Sequence, residues 1–175
     1  MENKEKYKEI EGDLFTEIFS ECYDVSLQGC NAFNTQGAGI CIPFKKHFHT
    51  DVFPMELAGK GDINKLGQID CKDFYLKDGN TFEECDSTIS MKRITIINCY
   101  SQFHYGMNHS DGKNKPADYE ALTLCLRKIN HKFKGLRIVT PAIGCGLAGG
   151  DLNIVREIIK KELKDCYTTL VLFKK

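Results

Sequence analysis

A glycine-rich stretch close to the C-terminus constrains the fold of this chain more than any other feature of its sequence. Four glycines occur within seven positions, at Gly144, Gly146, Gly149 and Gly150. The stretch joins a β-branched run, from Leu136 to Thr140, to an amphipathic run from Leu152 to Leu163, which predicts a strand, a flexible loop and a helix in succession. Glycines let a backbone approach a ligand closely and adopt positive φ, so that several N–H groups converge on an anion beside a helix N-terminus. The sequence therefore predicts a diphosphate-binding loop; an ordinary glycine turn capped by Asp151 is the alternative.

The position of this loop in the chain argues against the Rossmann fold. The spacing Gly144-x-Gly146-x-x-Gly149 matches the fingerprint of that fold, which needs a further β-α-β segment and an acidic residue about 20 positions onward. Only a short apolar run, from Tyr167 to Phe173, and two lysines follow the predicted helix. We therefore expect a different α/β sheet, whose phosphate loop lies near the C-terminus.

The length and composition predict a single globular domain over residues 1–175. The chain is 42% hydrophobic and 27% charged, which are ordinary values for a globular protein. Its 24 basic and 24 acidic residues leave no net charge, which argues against strong general binding to nucleic acid or to an anionic membrane surface. The charged N-terminus and the lack of 18 consecutive apolar residues predict a cytoplasmic protein without a membrane span.

The nine cysteines stand singly in the sequence, without a C-x-x-C pair. Such spacing is typical of reduced thiols that mostly act as small, buried apolar residues, and it argues against disulfides and against a zinc site. We therefore expect no bound metal. We also expect no cofactor.

A second glycine-containing loop follows a predicted strand from Tyr23 to Cys30 and leads into a predicted helix. It contains Gly37 and Gly39, whose N–H groups suit a second phosphate or a ribose, but it lacks the Walker A pattern G-x-x-x-x-G-K-[ST]. Asn31 and Asn34 offer amide donors and acceptors that suit a sugar hydroxyl. Because Asn and Gly are also the usual residues of turns, the loop alone leaves a binding role and a structural role open.

An acidic residue, Asp13, stands where a strand that begins at Tyr7 meets a helix. The helix is predicted by apolar residues at helical spacing, namely Leu14, Phe15, Ile18 and Phe19. A carboxylate in this position can accept a hydrogen bond from a ligand amino group, such as that of adenine. It can also cap the helix, which is the commoner role of an aspartate before a helix.

The β-branched run from Arg93 to Cys99 predicts a buried central strand. Aromatic and hydrogen-bonding side chains follow this strand, among them Gln102, Phe103 and His104. An aromatic ring here either stacks on a ribose or base or closes the core.

The remaining segments complete an α/β pattern. Strands and helices alternate along the chain, which predicts a three-layer α/β sandwich. We expect the acidic residues 83–86 to form a solvated loop, and the polar segment through His109 and Gly112 to be mobile.

Four motifs, taken together, resemble those of a macro domain. They are Glu11-Gly-Asp-Leu-Phe15, the loop from Gly29 to Ile40, Asn98-Cys-Tyr-Ser-Gln102 and Ile143-Gly-Cys-Gly-Leu-Ala-Gly-Gly-Asp151. The sequence is most similar to the subgroup that processes ADP-ribose-1″-phosphate, and the resemblance extends from about Tyr7 to Phe173. It implies a three-layer α/β/α fold with a mixed central sheet of about six strands and an ADP-ribose cleft at the strand ends.

The resemblance also implies roles for individual residues. Asp13 matches the acid that binds the adenine amino group, and Leu14 matches a neighbouring backbone position. Asn31 matches the amide beside the distal ribose, Phe103 falls near the aromatic that packs by this ribose, and Gln102 is a further ligand-binding candidate. The first phosphate loop matches Gly37, Ala38, Gly39 and Ile40, and the second matches Gly144, Cys145, Gly146, Leu147 and Ala148. Backbone donors dominate the diphosphate contacts in the family, so no cluster of Arg or Lys is needed.

One departure from the family bears on mechanism. In macro-domain hydrolases that remove DNA- or glutamate-linked ADP-ribose, a lysine follows the strand equivalent to Ile94–Cys99, where this chain has Tyr100-Ser-Gln-Phe-His104. We therefore expect no lysine Schiff base. Asp151 instead matches an acid that some hydrolytic subgroups of the family use near the scissile bond, so we predict that Asp151 orients a water molecule. His104 is a second candidate for proton transfer, because the unperturbed pKa of histidine is near neutrality. A helix cap and a solvated loop histidine are the alternatives for these two residues.

The predicted function is hydrolysis of a group on the distal ribose of an ADP-ribose derivative, by an ADP-ribose-1″-phosphate phosphatase or an ADP-ribosyl ester hydrolase. The predicted partner is ADP-ribose or a derivative, including ADP-ribosylated macromolecules. A non-catalytic module that reads or sequesters such nucleotides needs the same Asp13 and both loops, and it is the alternative. A cleft that binds another adenine nucleotide or a cyclic nucleotide is a weaker alternative.

Overall fold

The computed structural model describes residues 5–53, 59–105 and 116–174. In chain order they form β1 (Tyr7–Gly12), α1 (Leu14–Phe19), β2 (Val25–Asn31), α2 (Cys41–Phe48), β3 (Ile69–Leu76), β4 (Phe82–Glu84), β5 (Arg93–Gln102), α3 (Tyr119–Lys132), β6 (Arg137–Pro141), α4 (Leu152–Glu162) and β7 (Tyr167–Phe173). Single turns of 3-10 helix span Thr50–Val52 and Ile63–Lys65. The predicted polar segment through His109 and Gly112 lies outside the described residues.

The strands form one mixed sheet in the order β1-β7-β6-β2-β5-β3-β4. β1, β7, β6, β2 and β5 run parallel to one another, whereas β3 is antiparallel to β5 and β4 is antiparallel to β3. The carboxyl ends of the five parallel strands therefore meet at one edge of the sheet. β5 lies between β2 and β3, which confirms the predicted central strand.

The described part of the chain forms seven strands, where the resemblance implies about six. The additional strand is β4, which occupies part of the acidic segment 83–86, so the prediction of a solvated loop is wrong for Glu83 and Glu84. Lysines neighbour both carboxylates: Lys77 Nζ lies 2.6 Å from Glu83 and Lys72 Nζ lies 3.0 Å from Glu84. Short edge strands often carry charged side chains, which discourage pairing with other molecules. This composition is why the segment does not look like a strand in the sequence.

Helices cover both faces of the sheet. On one face, α1 and α2 pack on the sheet through a core that includes Phe15 and Phe44. On the other face, α3 and α4 pack through a core that includes Leu126 and Val155. This is the three-layer α/β/α arrangement that the sequence predicts. Within the described ranges, no helix is long and apolar enough to cross a membrane.

Three of the four α-helices begin at an aspartate that accepts hydrogen bonds from the first turn. Asp13 accepts from the Phe15 N–H at 3.2 Å, Asp118 from the Ala121 N–H at 2.9 Å and Asp151 from the Asn153 N–H at 2.7 Å. α2 begins differently, because its N-cap residue, Ile40, makes no side-chain cap. The start of α2 therefore lacks a side-chain cap at the end of the first predicted phosphate loop, and its Ile42 N–H donates to the Gly39 carbonyl at 3.2 Å.

The strand order creates a crevice between β2 and β6. The chain passes from β2 to α2 on one face of the sheet, and from β6 to α4 on the other face. In open α/β sheets, ligands bind beyond the carboxyl ends of neighbouring strands that connect in opposite directions. The topology alone thus points to the loops that follow β2 and β6.

Candidate functional site

Two loops face each other across the crevice between β2 and β6. The first glycine loop, residues 32–40, follows β2, and the second glycine loop, residues 142–150, follows β6. β2 and β6 are adjacent and parallel, so the loops are neighbours. The Cδ1 atom of Leu147 lies 3.9 Å from the position that a Cβ on Gly39 would occupy. The fold therefore brings together the two segments that the sequence predicts to bind phosphates.

The first glycine loop offers four consecutive backbone donors. No described residue accepts a hydrogen bond from the N–H groups of Gly37, Ala38, Gly39 or Ile40. Gly37 has open space where a Cβ would lie, and Gly39 has a φ of +63°. Unpaired N–H groups at an uncapped helix N-terminus carry partial positive charge, which favours an anion.

The second glycine loop folds back on itself and presents a second set of donors. The N–H of Gly150 donates to the carbonyl of Gly144 at 2.8 Å, and Gly144 has a φ of +78°. Within the described residues, no acceptor is found for the N–H groups of Gly144, Gly146, Leu147 or Ala148. Neither glycine loop contains a lysine or an arginine. Backbone dipoles are therefore the source of positive potential in both loops.

Asn31, the last residue of β2, organises the start of the first glycine loop. Its Oδ1 accepts from the N–H groups of Phe33 at 3.0 Å and Thr35 at 3.1 Å, and its Nδ2 donates to the Thr35 carbonyl at 2.8 Å. The side chain is buried. Most of the amide is thus used to hold the turn, and the second Nδ2 hydrogen is the donor that has no acceptor among the described residues.

Asp13 lies at the carboxyl end of β1 and is exposed. Its Oδ1 caps α1, while no described residue donates to its Oδ2. The capping role that the sequence leaves open is therefore present, and it occupies one of the two carboxylate oxygens. The neighbouring Leu14 buries its side chain in the core, so that its backbone alone is available to a ligand.

The end of β5 is joined to the first glycine loop. The N–H of Ala32 is shared between the carbonyls of Gln102 and Phe103, at 3.0 and 3.1 Å. The Gln102 side chain donates from Nε2 to the His104 carbonyl at 2.7 Å. The rings of Phe103 and His104 both contact the ring of Phe33, with centroids 5.6 and 5.3 Å apart. The three predicted residues of this segment therefore lie beside the first glycine loop, and His104 is exposed.

Asp151 follows the second glycine loop and caps α4. Its Oδ1 accepts from the N–H groups of Asn153 at 2.7 Å and Ile154 at 3.4 Å. Its own N–H donates to the hydroxyl of Tyr119, the first residue of α3, at 2.8 Å. The side chain is exposed, and no described residue donates to its Oδ2. The structure thus gives Asp151 the capping role that the sequence leaves open.

Cys145 is a half-buried thiol within the second glycine loop. Burial raises the pKa of Cys145 to about 11, and the nearby Asp151 carboxylate acts in the same direction. Because the thiolate is the nucleophilic form of cysteine, a thiol with so high a pKa is not a nucleophile at neutral pH. Cys145 therefore contributes its backbone and its packing to the loop.

Two further residues shape the site: Lys65, which the sequence does not single out, and Gly29, whose close packing the sequence does not reveal. Lys65 is buried and donates from Nζ to the carbonyl of Ala32 at 2.9 Å, and burial lowers the pKa of its ammonium. Gly29 is required because a Cβ there would lie 2.8 Å from Cγ2 of Ile143, beneath the second glycine loop. A lone glycine in a strand is a weak signal for such a close approach. No sequence pattern marks Lys65, since its partner is 33 positions away.

A groove of about 480 Å³ lies between α3 and α4. Its charged walls are partly paired with each other, since Arg127 Nε lies 2.9 Å from Glu162. Its walls are helical, so their backbone N–H groups are used within the helices or, for Asn153 and Ile154, by the cap that Asp151 provides. The candidate site is therefore the crevice between the glycine loops. The described residues contain no group of three or more His, Cys, Asp or Glu that could hold a metal ion.

Comparison with known proteins identifies the fold. No protein-family model matches the sequence, and no curated protein matches it. A protein of unknown function from Bacteroides thetaiotaomicron is similar in structure, with a TM-score of 0.65 at 22% identity over 97% of this chain and 99% of that chain.

Two further similar structures are those of a DarTG protein and of a DarG macrodomain. Thermosipho africanus DarTG, in complex with ADP-ribose, has a TM-score of 0.65 at 17% identity, over 95% of this chain and 41% of that chain. The macrodomain of Thermus aquaticus DarG has a TM-score of 0.58 at 15% identity, over 97% of this chain and 98% of that chain. A likeness at these identities is one of fold. The chain has the macrodomain fold.

Proposed function

We propose that this protein binds ADP-ribose or a derivative of it in the crevice between the two glycine loops. The observation that carries the proposal is a set of eight backbone N–H groups, four in each loop, that have no acceptor among the described residues. Two clusters of donors on adjacent strand ends suit the two phosphates of a diphosphate. Thermosipho africanus DarTG, which shares the fold, forms a complex with ADP-ribose.

The order of the strands supports a long ligand with a base at one end. From β1, which Asp13 directly follows, the sheet continues through β7 to β6 and the second glycine loop. It then reaches β2 with the first glycine loop, and β5 with Phe103. Four strand spacings of about 4.8 Å separate β1 from β5, which amounts to about 19 Å. Adenine at Asp13, the diphosphate at the loops and the distal ribose near Asn31 follow this order.

Titration calorimetry with ADP-ribose and with AMP tests the binding proposal. AMP keeps the base and one phosphate, but it lacks the second phosphate and the distal ribose. We expect ADP-ribose to bind about tenfold or more tightly than AMP, the difference that one hydrogen bond to a charged group produces. Equal dissociation constants for the two nucleotides would contradict the proposed cleft.

We propose further that the bound ligand is hydrolysed at its distal ribose, with release of a 1″-phosphate or of an ester-linked group, so that ADP-ribosylated macromolecules are also substrates. In this proposal Asp151 orients the attacking water through Oδ2. His104, which is exposed beside Phe33, is the second candidate for moving a proton. The resemblance of the sequence to the subgroup that processes ADP-ribose-1″-phosphate supports hydrolysis at the distal ribose.

The capping geometry of Asp151 favours a second candidate function, a module that binds ADP-ribose-type nucleotides without turning them over. Hydrogen bonds from the first turn of α4 to Oδ1 are a sufficient reason for an aspartate at this position. Such a module needs both glycine loops and Asp13, but no catalytic acid or base.

The Asp151→Asn variant separates the two functions. Asparagine caps a helix nearly as well as aspartate but is a poor base. If Asp151 orients water, turnover falls by about 100-fold or more while ADP-ribose affinity and melting temperature stay close to wild type. Asp118→Asn, which changes the cap of α3 in the same way, should leave turnover unchanged. A fully active Asp151→Asn enzyme would remove Asp151 from the mechanism, and wild-type protein without phosphatase or esterase activity would favour the binding module.

A further inference from the structure

A chain of buried polar side chains runs from the centre of the sheet to the first glycine loop. It comprises Gln28 on β2, Asn98 on β5, Thr50 after α2, and Gln36 and Asn34 in the loop, all of them buried. Gln28 Nε2 donates to Asn98 Oδ1 at 2.7 Å, Asn98 Nδ2 to the Thr50 carbonyl at 2.9 Å, Thr50 Oγ1 to Gln36 Oε1 at 2.6 Å, and Gln36 Nε2 to Asn34 Oδ1 at 2.7 Å. Amide side chains would be costly to bury here without these partners.

The chain has one consistent arrangement of donors and acceptors. Asn34 Nδ2 donates to the carbonyls of Thr50 at 3.3 Å and Asp51 at 3.0 Å, so Asn34 Oδ1 must be the acceptor for Gln36 Nε2. Gln36 Oε1 then faces the hydroxyl of Thr50, which must donate to it. Turning any one of these side-chain amides around would place two donors or two acceptors opposite each other. The row of hydrogen bonds therefore specifies a single shape for this part of the loop.

Thr50 lies where this row of hydrogen-bonded side chains connects the two ends of the segment that contains the first glycine loop and α2. Residues 34–36 precede Gly37, the first of the unpaired donors, while Thr50 follows α2. The contacts from Thr50 to Asn34 and Gln36 therefore tie the two ends of the segment together, and the contact with Asn98 ties that junction to the sheet. Gly37–Ile40 and the start of α2 lie between the two ends that this junction connects.

We propose that Thr50 is a positioning residue for the first glycine loop, and that its buried hydroxyl sets the affinity of the crevice for a diphosphate without touching the ligand. This inference rests on the proposed function for its ligand. It concerns Thr50, which lies outside both glycine loops in the sequence. The proposal predicts that loss of the buried Thr50 hydroxyl alters the affinity for ADP-ribose more than the affinity for adenosine, because adenosine has no phosphate.

Thr50→Val tests the proposal, with Thr168→Val as the matched control. Both changes replace a buried threonine hydroxyl by a methyl group, but Thr168 lies on β7 and its Oγ1 has no partner among the described residues. We expect Thr50→Val to weaken ADP-ribose binding about three- to tenfold, the effect of one lost hydrogen bond of ordinary strength. Adenosine affinity should stay unchanged, Thr168→Val should bind like wild type, and Thr50→Ser, which keeps the hydroxyl, should restore binding.

Hydrogen exchange of the ligand-free protein provides a readout that does not depend on the ligand. The amides of α2 should exchange faster in Thr50→Val than in wild type and in Thr168→Val, because the junction that holds α2 is weakened. Wild-type exchange in α2 together with wild-type affinity would overturn the proposal, as would a Thr50→Ser variant that behaves like Thr50→Val. If wild-type protein does not bind ADP-ribose, the proposed function fails, and the exchange comparison still decides whether Thr50 holds the loop.

Discussion

Replacing Gly150 by alanine tests how tightly the second glycine loop is closed. A Cβ on Gly150 would lie 2.8 Å from the carbonyl oxygen of Gly144 and 3.3 Å from the Cβ of Ala117. The same oxygen accepts the Gly150 N–H at 2.8 Å, so a methyl group cannot be added without moving the backbone that makes this bond. Inserting an extra methyl group into a well-packed site costs about 1–3 kcal/mol. We expect Gly150→Ala to lower the free energy of unfolding by about 2 kcal/mol, near the middle of that range.

Differential scanning calorimetry of the ligand-free protein measures the effect. For a chain of this length, 1 kcal/mol lowers Tm by about 2–4 °C, so the expected decrease is about 4–8 °C. Gly146→Ala is the matched control in the same loop, because a Cβ there would meet no atom within 4 Å and Gly146 does not have positive φ. Its Tm should equal that of wild type or exceed it slightly, since alanine reduces the conformational entropy of the unfolded chain.

Equal melting temperatures for Gly150→Ala and wild type would refute the close contact between Gly150 and Gly144. A decrease of the same size in Gly146→Ala would also contradict the reasoning, because it would show that the loop is sensitive to any added side chain. A displaced Gly144 moves the donors that follow it, so the affinity of Gly150→Ala for ADP-ribose should fall together with its Tm.

Two further predictions concern aspartates outside the glycine loops. Asp13→Ala should weaken ADP-ribose binding in calorimetry by about 1–3 kcal/mol, because the variant loses the proposed hydrogen bond to the adenine amino group. An unchanged dissociation constant in a folded variant would leave Asp13 only as a helix cap. The Arg137 guanidinium, through hydrogen bonds at 2.7 and 3.0 Å, holds the pKa of Asp24 below its usual value. The stability from this pair is therefore present above the unfolded pKa of about 3.9 and is lost as the pH falls from there toward the folded value. Asp24→Asn should lower Tm at neutral pH and make Tm fall less steeply as the pH is lowered, whereas Asp78→Asn, in an exposed turn, is the control. If Tm of Asp24→Asn fell as steeply with decreasing pH as that of wild type, this role of the pair would be ruled out.

The elements that local pattern determines were predictable from the sequence. β7 spans Tyr167–Phe173 in the structure, as the uninterrupted apolar and β-branched run predicts. In the second glycine loop Gly144 and Gly149 adopt positive φ, as glycines there can. Asp13 and Asp151 cap α1 and α4, which is the alternative role that the sequence leaves open for each of them. In each case a short stretch contains the whole physical reason for the structure.

The features that depend on partners far along the chain were not predictable. β4 has the charged composition of a loop and becomes a strand because β3 offers it an edge. Asn31 looks like a ligand-binding amide, but the turn to Thr35 uses most of its hydrogen bonds. Lys65 and Thr50 contact the first glycine loop only because of the tertiary fold, since their partners Ala32 and Gln36 are 33 and 14 positions away in the sequence. A single sequence contains no local signal for such contacts.

The two glycine loops differ in the source of their positive potential. At the second loop, Asp151 caps α4, so the negative carboxylate offsets the helix N-terminus. In the proposed function, the unpaired donors of the loop itself therefore bind the anion. At the first loop, α2 has no side-chain cap, so the helix N-terminus adds its dipole to the donors of Gly37–Ile40. If the proposed function is correct, binding at the second loop depends on the backbone shape set by Gly144 and Gly150. Binding at the first loop then depends on the direction of α2, which in our proposal the junction at Thr50 holds.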